Sequence, residues 1–141
     1  MDLLAAASIE EVPQSSISVI SPLGVVPKKN SKLRLILDLR FVNQHLHVKK
    51  FKYEDLLIVS HLISRGDWFI TFDLTNGYHH IDVSPWHRKF LGFSFSISGC
   101  TRYFQFASLP FGLASAPFIF TKVLRPLVKH WRSLGKRYHV S

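Results

Sequence analysis

The sequence predicts an α+β fold built on a largely antiparallel sheet. Two runs, KLRLILDLR (32–40) and FLGFSFSIS (90–98), place apolar side chains at alternate positions, the period of a half-buried strand. Each lies across a short turn from a second run of β-formers, so both read as antiparallel hairpins. The segment after Ser115 instead repeats apolar residues every three to four positions, the period of an amphipathic helix. A length of 141 residues, 47% hydrophobic and 13% aromatic, suits one domain with a sizeable core.

Taken in order, residues 1–12, with Leu3, Leu4, Ala5–Ala7 and Ile9, predict a short helix ending before Pro13, and Gln14–Ser18 a loop. SPLGVVPKK is punctuated by Pro22, Gly24 and Pro27, which favours an edge strand around Val25 and Val26. KKNSK is the turn into KLRLILDLR, whose Leu33, Leu35, Leu37 and Leu39 share one face. YEDLLIVSHLI (53–63) opens with Glu54 and Asp55, acids suited to a helix N-terminus, and Gly66 ends it. DWFITFDL is a buried strand running to Asp73. Ser84-Pro85 reads as the cap and first residue of one helical turn. FLGFSFSIS puts Leu91, Phe93, Phe95 and Ile97 on one face, turns at Ser98-Gly99, and returns as TRYFQFASL. Ser115 caps the last helix, with Pro117 in its first turn, an apolar stripe of Phe120, Leu124, Leu127 and Trp131, and Pro126 as a predicted kink.

Charge narrows the function. Residues 1–82 carry nine Lys/Arg and all nine carboxylates; residues 83–141 carry nine Lys/Arg and no acid, so the whole net +9 lies in the second part. An apolar-rich domain with a basic half points to a polyanion such as nucleic acid. One cysteine, Cys100, excludes an internal disulfide framework and a thiolate metal cluster. No run approaches the ~18 consecutive apolar residues of a membrane span. With no Lys or Arg before Lys28 there is no basic signal-peptide start, so the expected location is intracellular, cytoplasm or nucleus, away from membranes.

Asp73 ends an apolar strand and enters the polar TNGYHH, a placement suited either to a hard cation such as Mg²⁺ or to a helix N-cap. One carboxylate cannot hold a metal pair, and no acid follows Asp82. Lys28, Lys29, Lys32, Arg34 and Arg40 make a basic hairpin that either grips phosphates or is simply solvated, with Asp38 paired to Arg40 or Arg34. Lys122, Arg125, Lys129 and Arg132 recur along one face of the last helix, as a nucleic-acid backbone contact or as a solvated face. His45-x-His47 and His79-His80 lack zinc-site spacing and partners. LPFGLASAPF is a Gly/Pro-bounded turn into a helix that lets backbone approach something closely.

These pieces together resemble the reverse transcriptases of retroelements. SPLGVVPKKNSKLRLILDLRFVNQ is similar to that family's fingers hairpin, FDLTNGYHHIDV to its first palm motif, and LPFGLASAPFIF to the next, in the same order and spacing. The texture of FDL..GYHHI, KFLGFSF, RYFQF and LRPLVKHWR is most similar to DIRS-like retrotransposons. The resemblance implies a right-hand polymerase, fingers and an incomplete palm, with about 1–66 fingers-like and about 67–141 the first part of the palm with an intervening fingers hairpin. It implies Asp73 as the first metal-binding catalytic carboxylate, with the Leu74 carbonyl as a further ligand. Tyr78 becomes the aromatic residue under the nucleotide sugar, excluding a 2′-hydroxyl. Lys28, Lys29 and Arg34 become the residues that neutralise the triphosphate, and Phe111 and Gly112 the lining of the dNTP pocket.

The implied reaction is attack of a primer 3′-hydroxyl on the α-phosphate of a dNTP, with Mg²⁺ or Mn²⁺ and an RNA or DNA template-primer as partners. The family places its other catalytic carboxylates in a Tyr-x-Asp-Asp turn, and KRYHVS looks like the strand leading into it. The hairpin tip has Asn30-Ser31 where the family often has Gly. The expectation is therefore a polymerase fragment inactive alone, completed by the rest of the polypeptide; the alternative is a non-catalytic nucleic-acid-binding module.

Overall fold

A computed structural model describes residues 8–27, 33–48, 61, 64–68 and 74–134, and, of Leu33 and Arg34, the backbone only. Of the expected helix over 53–63 only His61, helical, is described; residues 69–73 of the expected strand, Lys28 and Lys29 lie outside the described residues, as does the Arg34 side chain, while Trp68, expected at the start of that buried strand, is 98% exposed and outside any strand.

Strands β1 (Ile9–Glu11), β2 (Leu23–Pro27), β3 (Leu33–Leu37), β4 (Gly92–Ile97) and β5 (Cys100–Phe106) form two antiparallel sheets, one ordered β1-β5-β4 and one β2-β3. Both hairpins follow from the alternation. β2 and β3 pair from Leu23↔Leu37 to Pro27↔Leu33. β4 and β5 close at Ile97↔Cys100 across Ser98-Gly99, whose φ values of 50° and 80° give the left-handed pair that matches strand twist. The small sheet is tied to the large one by an isolated parallel bridge, Ile20↔Gly92, and by the Ser21 N–H donating to the Gly92 carbonyl at 2.8 Å.

The helices are α1 (Arg40–Gln44), α2 (Pro85–Arg88) and α3 (Ala116–Ser133), with 3₁₀ turns at Gln14–Ser16 and Gly77–His80. The core sits between the large sheet, α1 and the start of α3. Phe93, Phe104, Phe106, Leu109, Leu113 and Ala116 are buried together with Leu37, Leu39 and Val42. The Phe93 ring lies 5.5 Å from Phe104 and 5.7 Å from Phe106.

Several expectations are corrected. The expected helix over 1–12 gives way at Ile9–Glu11 to β1, which pairs Ile9↔Phe106 through Glu11↔Phe104. Pairing with a strand far along the chain, the burial of Ile9, and the ion pairs of Glu10 with Arg88 and of Glu11 with Arg102 outweigh the local helical preference of the Leu/Ala run. The strand KLRLILDLR stops at Leu37. Asp38 turns the chain: its carboxylate accepts the Arg40 backbone N–H at 3.1 Å and opens α1, which periodicity alone did not indicate.

Leu91 and Phe93 are buried as expected, but Phe95 and Ile97, nearer the hairpin tip, are exposed. Ser84 and Ser115 precede helices, yet neither side chain makes a capping hydrogen bond. α3 continues past Pro126 as one helix; its inward residues are Phe120, Leu124, Val128 and Trp131, while Leu127, expected in the apolar stripe, is 42% exposed.

Candidate active site

The chain enters the site at Leu74, immediately after Asp73, which itself lies outside the described residues. The Leu74 carbonyl accepts the Gly77 N–H at 3.2 Å, closing a turn in which Asn76 takes the left-handed conformation, φ 56°. The residue at the cap position of the following 3₁₀ turn is thus Asn76, three residues beyond Asp73. Gly77 has no side chain for a packing reason: a Cβ there would lie 2.8 Å from the Phe120 ring of α3.

That close approach sets Tyr78 among rings. Its centroid lies 5.3 Å from Phe120, edge-on, and 5.0 Å from Phe111, tilted. Phe111 and Gly112 sit in the loop between β5 and α3. The loop is fastened to the Tyr78 segment by two backbone hydrogen bonds, Leu109 N–H to the Ile81 carbonyl at 2.9 Å and Val83 N–H to the Ala107 carbonyl at 2.8 Å. Pro110 is fully buried, and Phe111, next to it, is 56% exposed. Gly112 has φ 92°, a conformation that a side chain would strain. Asn43 of α1 grips the same loop from the other side: its amide N–H donates to the Gly112 carbonyl at 2.9 Å, and its amide oxygen accepts the Ala114 N–H at 2.8 Å.

His79 lies below this surface. Its ring is edge-on to Phe111 at 5.3 Å and stacked with Phe106 at 6.2 Å, and its Nδ1 is 3.3 Å from the Ser108 hydroxyl. Burial of the ring, with the neighbouring His80, holds its pKa below the usual histidine value, opposed by a backbone hydrogen bond at Leu109. His80 turns the other way and donates from Nε2 to the Thr75 carbonyl at 3.2 Å, and His45 donates from Nδ1 to the Phe41 carbonyl at 2.8 Å.

Tyr78, Phe111 and Gly112 are therefore brought into one cluster, with the Leu74 backbone at its entrance. Lys122, Arg125, Lys129 and Arg132 are all on the exposed face of α3, away from the ring cluster; the Lys122 ammonium lies 5.8 Å from the centre of the Phe118 ring. Arg40 is bound to Asp38, Nη2 to Oδ2 at 2.6 Å, so its charge is compensated locally rather than offered to a phosphate.

Among the described residues no three His, Cys, Asp or Glu side chains come together as a metal site. The donors implied for a cation, the Asp73 carboxylate and the Leu74 carbonyl, are all oxygen, which fits a hard ion such as Mg²⁺ in kind. The Leu74 carbonyl keeps one lone pair beyond its bond to Gly77. Asn43, His79 and Asn76 went unassigned from the sequence; the only signals were a lone Asn in the apolar run FVN and a His doublet without zinc-site spacing.

Comparison with known proteins gives a consistent picture. Residues 26–140 match the family model described as reverse transcriptase (RNA-dependent DNA polymerase). The retrovirus-related Pol polyprotein from transposon 412 of Drosophila melanogaster is 34% identical over 110 residues, covering 74% of this chain and 9% of that protein. The crystal structure of native prototype foamy virus protease-reverse transcriptase superposes with a TM-score of 0.72 at 24% identity, over 91% of this chain and 16% of that one. A foamy viral protease-reverse transcriptase solved in complex with double-stranded DNA gives 0.67 at 24% identity, over 92% and 20%. The fold is that of the fingers and part of the palm of those enzymes, and the chain belongs to the reverse transcriptase family, of which it carries an N-terminal section.

Proposed function

We propose that this chain contributes the nucleotide-facing front of an RNA-directed DNA polymerase, in which a primer 3′-hydroxyl attacks the α-phosphate of a dNTP and pyrophosphate leaves. The observation that carries this reading is the Tyr78–Phe111 ring pair, 5.0 Å apart, set beside Gly112 on a turn entered directly from Asp73. Tyr78 supports the sugar and excludes a 2′-hydroxyl; Phe111 and Gly112 line the pocket; Lys28, Lys29 and Arg34 neutralise the triphosphate. Mg²⁺ or Mn²⁺, when bound by Asp73 and the Leu74 carbonyl, supplies activation of the hydroxyl and neutralisation of the leaving group. Lys122, Arg125, Lys129 and Arg132 hold the backbone of an RNA or DNA template-primer, in keeping with the foamy viral relative solved with double-stranded DNA. Residues about 1–66 serve as fingers and about 67–141 as the first part of the palm with an intervening fingers hairpin.

No acid follows Asp82 in this sequence, so a two-metal site needs carboxylates from the rest of the polymerase polypeptide. The 141-residue chain alone is expected to give no dNTP incorporation on a primed RNA template with Mg²⁺; turnover that disappears in Asp73→Ala would contradict this. The exposed, acid-free stripe of α3 favours a second reading, a non-catalytic nucleic-acid-binding module. Under that reading dTTP has no site on the chain and only the nucleic acid binds.

A further inference from the structure

Among the described titratable side chains, His79 is the one set beneath the ring cluster. Phe111, the lining residue of the proposed nucleotide pocket, rests edge-on against it at 5.3 Å, and Tyr78 rests on Phe111 at 5.0 Å. Phe106 of the sheet supports the other side of His79, stacked at 6.2 Å. The imidazole thus stands between a fixed strand and a half-exposed ring. The Ser108 hydroxyl donates to the Ser8 carbonyl at 3.4 Å, which leaves its oxygen free to accept from His79 Nδ1–H at 3.3 Å. That fixes the ring plane through a residue anchored to the start of β1.

A small cavity of about 40 Å³ adjoins His79, and its other described lining side chains are Leu23, Leu35, Leu37, Phe93, Phe106 and Phe111, all apolar. The β2–β3 hairpin meets the β4–β5 hairpin at this place. On the turn of His79 the other titratable groups are Tyr78 and His80, whose Nε2 is turned to the Thr75 carbonyl; β5 also carries Cys100, Tyr103 and Arg102, the last paired with Glu11, and the described side chains lining the cavity carry no charge. A proton on His79 would place a cation against three aromatic or aliphatic walls with no carboxylate among those described, so the ring would have to move toward water.

We propose that neutral His79 is the positioning residue of this site: it sets the plane of Phe111, and through it Tyr78, so that nucleotide affinity falls when the imidazole takes up a proton. The proposal rests on the nucleotide reading above. The lowered pKa of His79, caused first by burial and then by His80, agrees with a ring kept neutral near pH 7.

The experiment uses the 141-residue chain with ¹³C-labelled His and Phe side chains, followed by NMR from pH 8 to 5.5, alongside titration with dTTP and Mg²⁺. The His79 and Phe111 ring signals are expected to move with one common midpoint. The dTTP dissociation constant should rise about tenfold per pH unit below that midpoint, as the competent fraction falls. His79→Phe, an aromatic buttress that cannot be protonated and lacks the bond to Ser108, should follow only the pH dependence of dTTP itself, whatever its affinity at pH 8; His80→Gln, which removes a neighbour that helps hold the His79 pKa down, should move the common midpoint upward and keep the coupling of the two rings. Phe111 signals that stay still while His79 titrates, or a His79→Phe profile as steep as wild type, would overturn the proposal. If the wild-type chain binds no dTTP at any pH, the nucleotide reading fails, and the common or separate midpoints of His79 and Phe111 still decide whether one ring positions the other.

Discussion

Asn43 holds a loop 69 residues away with one amide, donating to Gly112 and accepting from Ala114. No other residue type of that size offers a donor and an acceptor side by side without charge. Asn43→Ala leaves both backbone groups without their partner and should cost about 1–3 kcal/mol in urea unfolding. Asn43→Asp keeps the acceptor for Ala114 and loses the donor, so its loss should be smaller but present. His79 adds a pH signature. Its pKa in the fold is depressed from 6.5, so its contribution is complete above that value and is lost as pH falls through the lower, folded one. Thermal unfolding of the wild type should weaken below about pH 6.5 more than that of His79→Phe. Neither residue was legible in the sequence, because each acts through a partner, 69 or 29 positions away, that no local pattern encodes. That Tyr78 and Phe111 come together agrees with motifs whose order carries the family resemblance; their role toward a nucleotide belongs to the proposal.

At the scale of elements, local physics decides what was foreseen. The two hairpins follow from alternation plus a turn, and α3 from its helical period, all information held within a few residues. β1 was misread because its identity depends on β5, and pairing is worth more than the helical preference of three residues. The ion pair between Glu11 and Arg102 reports on that pairing. Arg102 donates from Nε to Glu11 Oε1 at 2.7 Å, and the side-chain hydrogen bond holds the Glu11 carboxyl below its ordinary 4.5. A depressed carboxyl stabilises the fold above its unfolded pKa and ceases to do so as pH falls through the folded value. Glu11→Gln should therefore be less stable than wild type at pH 7, with the difference shrinking below about pH 4.5; equal pH dependence of the two in denaturant titrations would show that the pair contributes nothing. The early halt of β3 has a similarly local cause, the turn made by Asp38, which the regular run of leucines concealed.

For the molecule as a whole, the described charges can be placed in space. Arg40, Arg88 and Arg102 are engaged with Asp38, Glu10 and Glu11; Lys122, Arg125, Lys129 and Arg132 are exposed along the outer face of α3. Binding of single-stranded RNA should weaken steeply with salt. Replacing the four α3 bases by Ala should lower the slope of log affinity against log salt by about 0.7 for each phosphate contact removed. An unchanged slope would assign that face to solvent. The central claim is that Asp73, Tyr78 and Phe111 belong to one nucleotide site, and paramagnetic Mn²⁺ added with dTTP tests it most directly. The NMR signals of Tyr78 and Phe111 are predicted to broaden strongly in the wild-type chain and to remain sharp in Asp73→Asn. Broadening centred elsewhere, or equal broadening in Asp73→Asn, would contradict it.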